Sequence, residues 1–236
     1  MEKREKLYEG KAKIIYATDQ PDKVIIYFKD DTTAFDGVKK EQIVGKGVIN
    51  NAISSLIFEV LNKRSIPTHY IEKLSDREML ALKVEIIPVE VVVRNFAAGS
   101  FTRRYGVPEG TKLEKPLVET FWKNDELHDP LVCLEHIKLL KLAEPEDVEK
   151  MKEIALEVNE VLKAFFASKD ILLVDFKLEF GKTTDGRLVL ADEISPDSCR
   201  LWDAKTKKKL DKDVFRFDLG DLKEAYQELL NRLREK

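Results

Sequence analysis

Leu172-Leu173-Val174-Asp175-Phe176-Lys177-Leu178-Glu179-Phe180, followed by Asp185-Gly186 and then Leu188-Val189-Leu190-Ala191-Asp192, decides how this chain reads. Side chains alternate faces along a strand. Val174, Phe176, Leu178 and Phe180 therefore point to a core, and Asp175, Lys177 and Glu179 share the opposite face. Asp-Gly is the favoured centre of a two-residue type I′ hairpin. With Thr184 paired to Arg187, counting outward places Glu179 opposite Asp192 and Lys177 opposite Ile194. Cross-strand neighbours sit about 4.5–5.5 Å apart, so two carboxylates there repel unless a cation lies between them. Magnesium is commonly held by one or two carboxylates together with substrate phosphates. The spacing predicts a Mg²⁺–nucleotide site at Glu179 and Asp192 with Lys177 beside it. A solvated charged face is the plainer alternative for a single strand, and a one-residue slip in register would undo the pairing.

Outward from this hairpin the chain alternates strands and helices. Residues 13–17 and 23–28 read as strands separated by the turn residues Asp19-Gln20-Pro21-Asp22. A helix is expected where Val48, Ile49, Ala52, Ile53, Leu56, Ile57, Val60 and Leu61 recur at three- and four-residue steps. Ser75-Asp76-Arg77-Glu78 has the form of a capping box. The run from Lys83 to Arg94 is strand-like, and Pro88 marks an edge, bulge or hinge within it. The proline-containing segment through Pro108, Pro116 and Pro130 reads as irregular. Helices are expected after Pro145, with Val148, Met151, Ala155, Val158, Leu162 and Phe165 on one stripe, and at the carboxyl end through Leu222, Tyr226, Leu229 and Leu233. The order indicates a mixed α/β architecture of two sheet-containing lobes, divided as residues 1–84 and 85–236.

Composition bounds the function classes. The 236 residues correspond to roughly one and a half domains. With 43% hydrophobic and 36% charged residues the chain is of globular type and buries a core without staples. Forty-one basic against forty-four acidic residues, a formal charge of −3, argue against a nucleic-acid or membrane coat. No apolar run of about twenty residues or signal segment is present. Cys133 and Cys199 form neither a zinc spacing nor a disulfide framework, and a reduced, cytoplasmic setting is expected. Cys133 has no base at a recognisable spacing. His128 beside Asp129-Pro130 is the most suggestive of three scattered histidines. Lys205-Thr206-Lys207-Lys208-Lys209, flanked by Asp203, Asp211 and Asp213, reads as solvated surface.

Three further segments carry chemistry-bearing residues. Glu9-Gly10-Lys11-Ala12-Lys13 lacks the second glycine and Lys-Ser/Thr ending of a Walker loop; it is either a phosphate contact or a solvated strand end. Arg94 leads into Ala98-Gly99-Ser100, where a helix start receives an anion or is simply capped. Asp30-Asp31-Thr32-Thr33-Ala34-Phe35-Asp36-Gly37 and Ser195-Pro196-Asp197-Ser198-Cys199-Arg200 are polar loops, substrate contacts or plain turns.

Together, Gly10-Lys11-Ala12-Lys13, the stretch Ile86 to Arg94 leading to Ala98-Gly99-Ser100, the stretch Leu173 to Phe180, and Asp192-Glu193-Ile194-Ser195-Pro196-Asp197 resemble the phosphoribosylaminoimidazole-succinocarboxamide synthase (SAICAR synthetase) family, in order along essentially the whole chain. The resemblance implies an α+β, two-lobed fold related to ATP-grasp and kinase architectures, with nucleotide between two sheets. It implies an ATP-dependent ligase of de novo purine biosynthesis, joining L-aspartate to the carboxylate of carboxyaminoimidazole ribonucleotide (CAIR), and a homodimer. By the same resemblance Lys11, Lys13 and Lys123 contact ATP, and Glu179 and Asp192 hold Mg²⁺. Arg94, Ser100 and Arg200 grip the ribonucleotide phosphate, while Asp36, Asp175 and Lys177 are catalytic residues of the substrate pocket. The chemistry is consistent: a carboxylate has no leaving group until phosphorylated, and phosphoryl transfer needs clustered cations rather than a covalent nucleophile. A small-metabolite kinase and a nucleotide-binding regulatory module are the rivals, since fold alone does not choose among them.

Overall fold

The computed structural model describes residues 1–34 and 38–235. In chain order the first half contributes β1 (Lys3–Glu9), β2 (Lys13–Thr18), β3 (Lys23–Phe28), β4 (Asp31–Ala34), β5 (Lys39–Gln42), α1 (Lys46–Asn62), β6 (Tyr70–Lys73) and β7 (Glu78–Leu82). Five of these strands form one antiparallel sheet in the order β1-β2-β3-β7-β6, and β4 and β5 pair as a separate ribbon. Then follow β8 (Val84–Ile86), β9 (Val89–Phe96), α2 (Ser100–Tyr105), β10 (Lys112–Trp122), α3 (Leu134–Leu140), α4 (Pro145–Ala167), β11 (Ile171–Thr183), β12 (Leu188–Ala191), β13 (Cys199–Asp203), α5 (Asp213–Arg216) and α6 (Leu222–Arg234). Their strands build a six-stranded sheet in which β11 is the hub, pairing with β8, β9, β12 and β13.

The apolar stripes predicted from the sequence account for the layers. Val148, Met151, Ala155, Val158 and Leu162 of α4 are fully buried as the stripe predicts, whereas Phe165 is only partly buried and Phe166 takes the core position instead; the helix packs on β9 and β11. Pro145 stands at its first turn, where its missing N–H costs no hydrogen bond. Helix α1 packs on the first sheet and on α6, so one continuous core links both sheets.

Several expectations are corrected. The hairpin turn holds three residues, not two: Thr183 N–H donates to Arg187 O at 3.0 Å, and Gly186 takes a φ of +83°. A left-handed glycine closing a three-residue loop is the next commonest hairpin geometry. Here Thr183 Oγ1 accepts the Arg187 N–H at 3.0 Å, while the Asp185 carboxylate accepts from the Thr183 hydroxyl and from Arg187 Nε, which stabilises the wider loop. The register therefore slips by one, with Glu179 opposite Ala191 rather than Asp192. The face assignment of Val174 also changes. A register shift against β13 between Leu173 and Asp175 breaks the alternation, so Ile171, Leu173 and Phe176 enter the main core while Val174 packs with Ala98 and Trp202 in a small separate cluster.

The proline-containing segment read as irregular contains the eleven-residue strand β10. Pro116 is accommodated because β10 is an edge strand and its ladder with β9 is interrupted between Lys112 and Leu117. The capping-box match at residues 75–78 opens no helix; Leu74 N–H bonds Glu78 O at 2.9 Å and closes the β6–β7 hairpin. Asp211 and Asp213, read as flanking a solvated surface, are both completely buried.

Candidate active site

Strand β11 carries Asp175, Lys177 and Glu179 on one face, as alternation requires. That face is not solvated: Asp175 is 3% and Glu179 5% exposed. Across the ladder, β9 presents Glu90, Val92 and Arg94 at the same two-residue spacing. The Lys177 ammonium bonds the carboxylate of Glu90 and, at 3.0 Å, that of Glu179. Lys123, just beyond β10, pairs with the other Glu179 oxygen. Burial disfavours a charged Lys177, yet Glu179, Glu90 and Asp192 together hold its pKa above the ordinary lysine range. Glu90 is pushed up, by burial first, with Lys177 opposing.

Asp192 reaches this cluster by a route that alternation does not provide. It follows the last residue of β12 and adopts a φ of +59°, a left-handed conformation that Asp tolerates better than most residues. Its carboxylate pairs with Lys13, which also bonds Glu193 at 2.8 Å. Burial would raise the Asp192 pKa, but Lys13 and Lys177 hold it at about 2. Asp192 is thus a permanent anion, and it shares a cavity with Glu179 despite the slipped register.

His69 helps fix that backbone. Its Nε2 lies 3.1 Å from the Asp192 carbonyl, so the neutral ring donates there. Burial pushes its pKa down to about 4, with Lys13 adding to the shift and Asp192 opposing it. Because the folded value lies below the unfolded one, His69 contributes stability that is present above about pH 6.5 and lost as pH falls toward 4. The expected loss is about 3 kcal/mol. Unfolding free energy measured between pH 7 and pH 4 should flatten by that amount in His69→Gln; parallel pH curves would contradict this.

Two adjoining cavities meet at the cluster. The first, about 510 Å³, lies between the sheets: Ile15, Val24, Ile26 and Leu82 of the first sheet line it with Glu179 and Asp192 of the second half. Lys11, Lys13 and Lys123 line it too. The second, about 340 Å³, is highly charged, with Arg94, Asp175, Asp197, Arg200, Lys212 and Arg216 on its surface. Lys11, Glu90, Asp129 and Lys177 belong to both and form their common boundary.

In the second cavity the arginines are held in place. Arg94 bonds Glu119 and Asp175 at 2.6 Å each and reaches Ser100 Oγ at 3.2 Å. Arg200 bonds Asp175 at 3.0 Å and Asp213 at 2.9 Å, which keep its pKa raised despite burial. Asp213 also holds Arg216 at 2.7 Å. Gly99 takes a φ of +58°, which L side chains rarely adopt, and a β-carbon there would also meet the Arg200 guanidinium; both account for the glycine. Asp211 caps the backbone amides of Leu201 and Asp213 at 2.8 Å each; burial and the neighbouring Asp213 charge push its pKa up to about 7.

Of the residues singled out from sequence, Lys11, Lys13, Lys123, Arg94, Asp175, Lys177, Glu179, Asp192 and Arg200 all line one or both cavities. Ser100 stands behind them against Arg94, and Asp36 lies outside the described residues. Sequence reasoning missed Glu90, Asp129, Lys212 and Arg216, while Asp197 lies in the polar loop read as a substrate contact or a plain turn. The two-residue spacing of Glu90 and Arg94 on one strand was a usable signal; for Asp129 and Lys212 none was available. Cys133 and His136 do lie 3.5 Å apart, but as an exposed pair at the start of α3, outside both cavities.

Comparison with known proteins identifies the family. The family model for SAICAR synthetase matches residues 6–233. A phosphoribosylaminoimidazole-succinocarboxamide synthase from Persephonella marina is 64% identical over all of this chain and 99% of its own. The crystal structure of the synthase of that name from Ehrlichia chaffeensis superposes with a TM-score of 0.94 at 48% identity, covering 97% of this chain and 98% of its own. A structure described as SAICAR synthetase (Type-2) in complex with ADP also gives 0.94, at 52% identity and 98% of both chains. The chain belongs to the SAICAR synthetase family.

Proposed function

We propose that the two adjoining cavities are the nucleotide half and the substrate half of a single ligase active site, with Lys177 at their junction. As a SAICAR synthetase the chain is an ATP-dependent ligase that joins L-aspartate to the carboxylate of CAIR, giving SAICAR, ADP and phosphate. The observation that carries the residue-level reading is the shared boundary: Lys177 lines both cavities, within reach of a group bound in either.

The apolar residues of the larger cavity suit a purine ring, and a 52%-identical relative described in complex with ADP supports nucleotide use by this chain. Lys13 and Lys123 face the phosphates beside Glu179 and Asp192, and Lys11 borders both cavities. Among the described residues no three acidic, His or Cys side chains gather to hold a metal by themselves. Two carboxylates, one of them ionised down to about pH 2, fit magnesium shared with phosphate oxygens. When bound there, Mg²⁺ neutralises charge on the transferring phosphoryl group.

In the charged cavity Arg94, backed by Ser100, and Arg200 receive the ribonucleotide phosphate, with Asp175 between them orienting both. The CAIR carboxylate oxygen attacks the γ-phosphorus and ADP leaves. The aspartate amine then attacks the acyl carbon, phosphate departs, and the amine loses its proton. Lys177 offsets the negative charge that develops between the cavities. A coupled ADP assay with each substrate omitted tests the reading: ADP release should require both CAIR and L-aspartate. Release without aspartate would favour a kinase, and binding without release a regulatory module. With CAIR labelled by ¹⁸O in its carboxylate, one label should appear in the released phosphate; unlabelled phosphate would reject the acyl-phosphate route.

A further inference from the structure

The cations on the surface of the charged cavity differ in one respect. Arg94, Lys177, Arg200 and Arg216 are paired with carboxylates, and Lys11 pairs with Asp125 at 2.7 Å. The Lys212 ammonium has neither an ion pair nor a hydrogen bond to any described residue. It is not a loose surface lysine. Its backbone N–H is pinned to Pro196 O at 3.0 Å, and buried aspartates precede and follow it. Burial lowers its pKa; Lys46 and Arg216 reinforce this, and Asp197 and Glu193 oppose it. The Asp197 carboxylate is already held by Lys46 at 2.6 Å, Tyr226 at 2.6 Å and Asn50 at 3.1 Å.

A partly buried ammonium on the lining of a substrate cavity, with Asp197 near it but committed to Lys46, Tyr226 and Asn50, is a receptor for an anion. CAIR brings a phosphate, assigned above to Arg94, Ser100 and Arg200, and a carboxylate that reacts beside Lys177. L-Aspartate brings two carboxylates with no assigned partner. We propose that Lys212 binds one carboxylate of the L-aspartate substrate and so places its amine toward the acyl carbon, a role that rests on the ligase reading above.

The test uses the full chain and the coupled ADP assay. Lys212→Gln should raise the KM for L-aspartate roughly 30-fold or more, the scale expected for removing one partner of a buried charge pair. KM values for CAIR and ATP should stay within about threefold of wild type, and Lys212→Arg, which keeps the charge, should recover most of the loss. An unchanged aspartate KM, or a CAIR KM that rises equally, overturns the proposal. Wild-type protein gives a second measurement independent of the fold of any variant. L-Aspartate, added with CAIR and a non-hydrolysable ATP analogue, should slow reductive methylation of Lys212 as read by peptide mass spectrometry; equal labelling with and without aspartate overturns the proposal. Failure of the ligase reading would show separately, as wild-type ADP release that does not depend on aspartate.

Discussion

Lys177→Met is expected to lower kcat for aspartate-dependent ADP release by roughly 10³-fold, the loss typical of removing a preorganised charge from a phosphoryl-transfer or oxyanion site. The reason lies in its position. Lys177 borders both cavities and is clamped between Glu90 and Glu179, so on the ligase reading proposed above its ammonium stands where the carboxylate and the γ-phosphate would meet. Because the charge acts mainly on the developing negative charge, KM values should move far less than kcat. Lys177→Arg should rescue poorly, since a planar fork does not occupy the place of a compact ammonium. Steady-state kinetics for each substrate decide the matter: a variant whose KM values rise while kcat is retained would make Lys177 a binding residue only.

The second large effect concerns stability. The Asp197 side chain is 7% exposed and pairs with Lys46, itself only 1% exposed, and it accepts hydrogen bonds from Tyr226 and Asn50. This knot ties α1, α6 and the loop that leads into β13. Burial alone would raise the Asp197 pKa, but Lys46, Lys212 and Tyr226 hold it well below the usual carboxylate range. Asp197→Ala leaves an ammonium buried without its partner, which costs about 3–5 kcal/mol. For a chain of this size that corresponds to a fall in Tm of roughly 10 °C. Denaturant unfolding at constant m-value measures it directly, and a loss below about 1 kcal/mol would show that the knot is not structurally important. The sign with pH follows: the folded pKa is depressed, so this stability is present above about pH 4 and disappears in stronger acid.

What the sequence disclosed, and what it concealed, follows from which physical signals are local. Alternation along β11 put Asp175, Lys177 and Glu179 on one face correctly, because a strand's period depends only on its own backbone. Helix α4 was legible for the same reason, having a clean stripe and a proline at its start. Strand β1 was not, since all seven of its residues are exposed and show no apolar period. Strand β10 was hidden behind Pro116, whose tolerance depends on an edge position that only the assembled sheet reveals.

The candidate site shows the same division. The pairing of Glu179 with Asp192 was expected from the wrong register; the two carboxylates share a cavity because a single left-handed residue redirects Asp192, not because they sit opposite one another. That conformation is stabilised by His69 from the segment between α1 and β6, which no local pattern around Asp192 could announce. Lys212 and Arg216 were masked by the basic run before them, and the burial of Asp211 and Asp213 distinguishes this stretch from solvated surface.

On the proposed reading Glu179 and Asp192 jointly face the nucleotide phosphates next to Lys177. The most direct measurement is a crystal structure with a non-hydrolysable ATP analogue and Mn²⁺, read by anomalous scattering. The expected result is a manganese peak within coordination distance of both carboxylates, with the γ-phosphate directed toward Lys177. A peak remote from either carboxylate, or a triphosphate pointing away from the boundary between the cavities, would contradict the account.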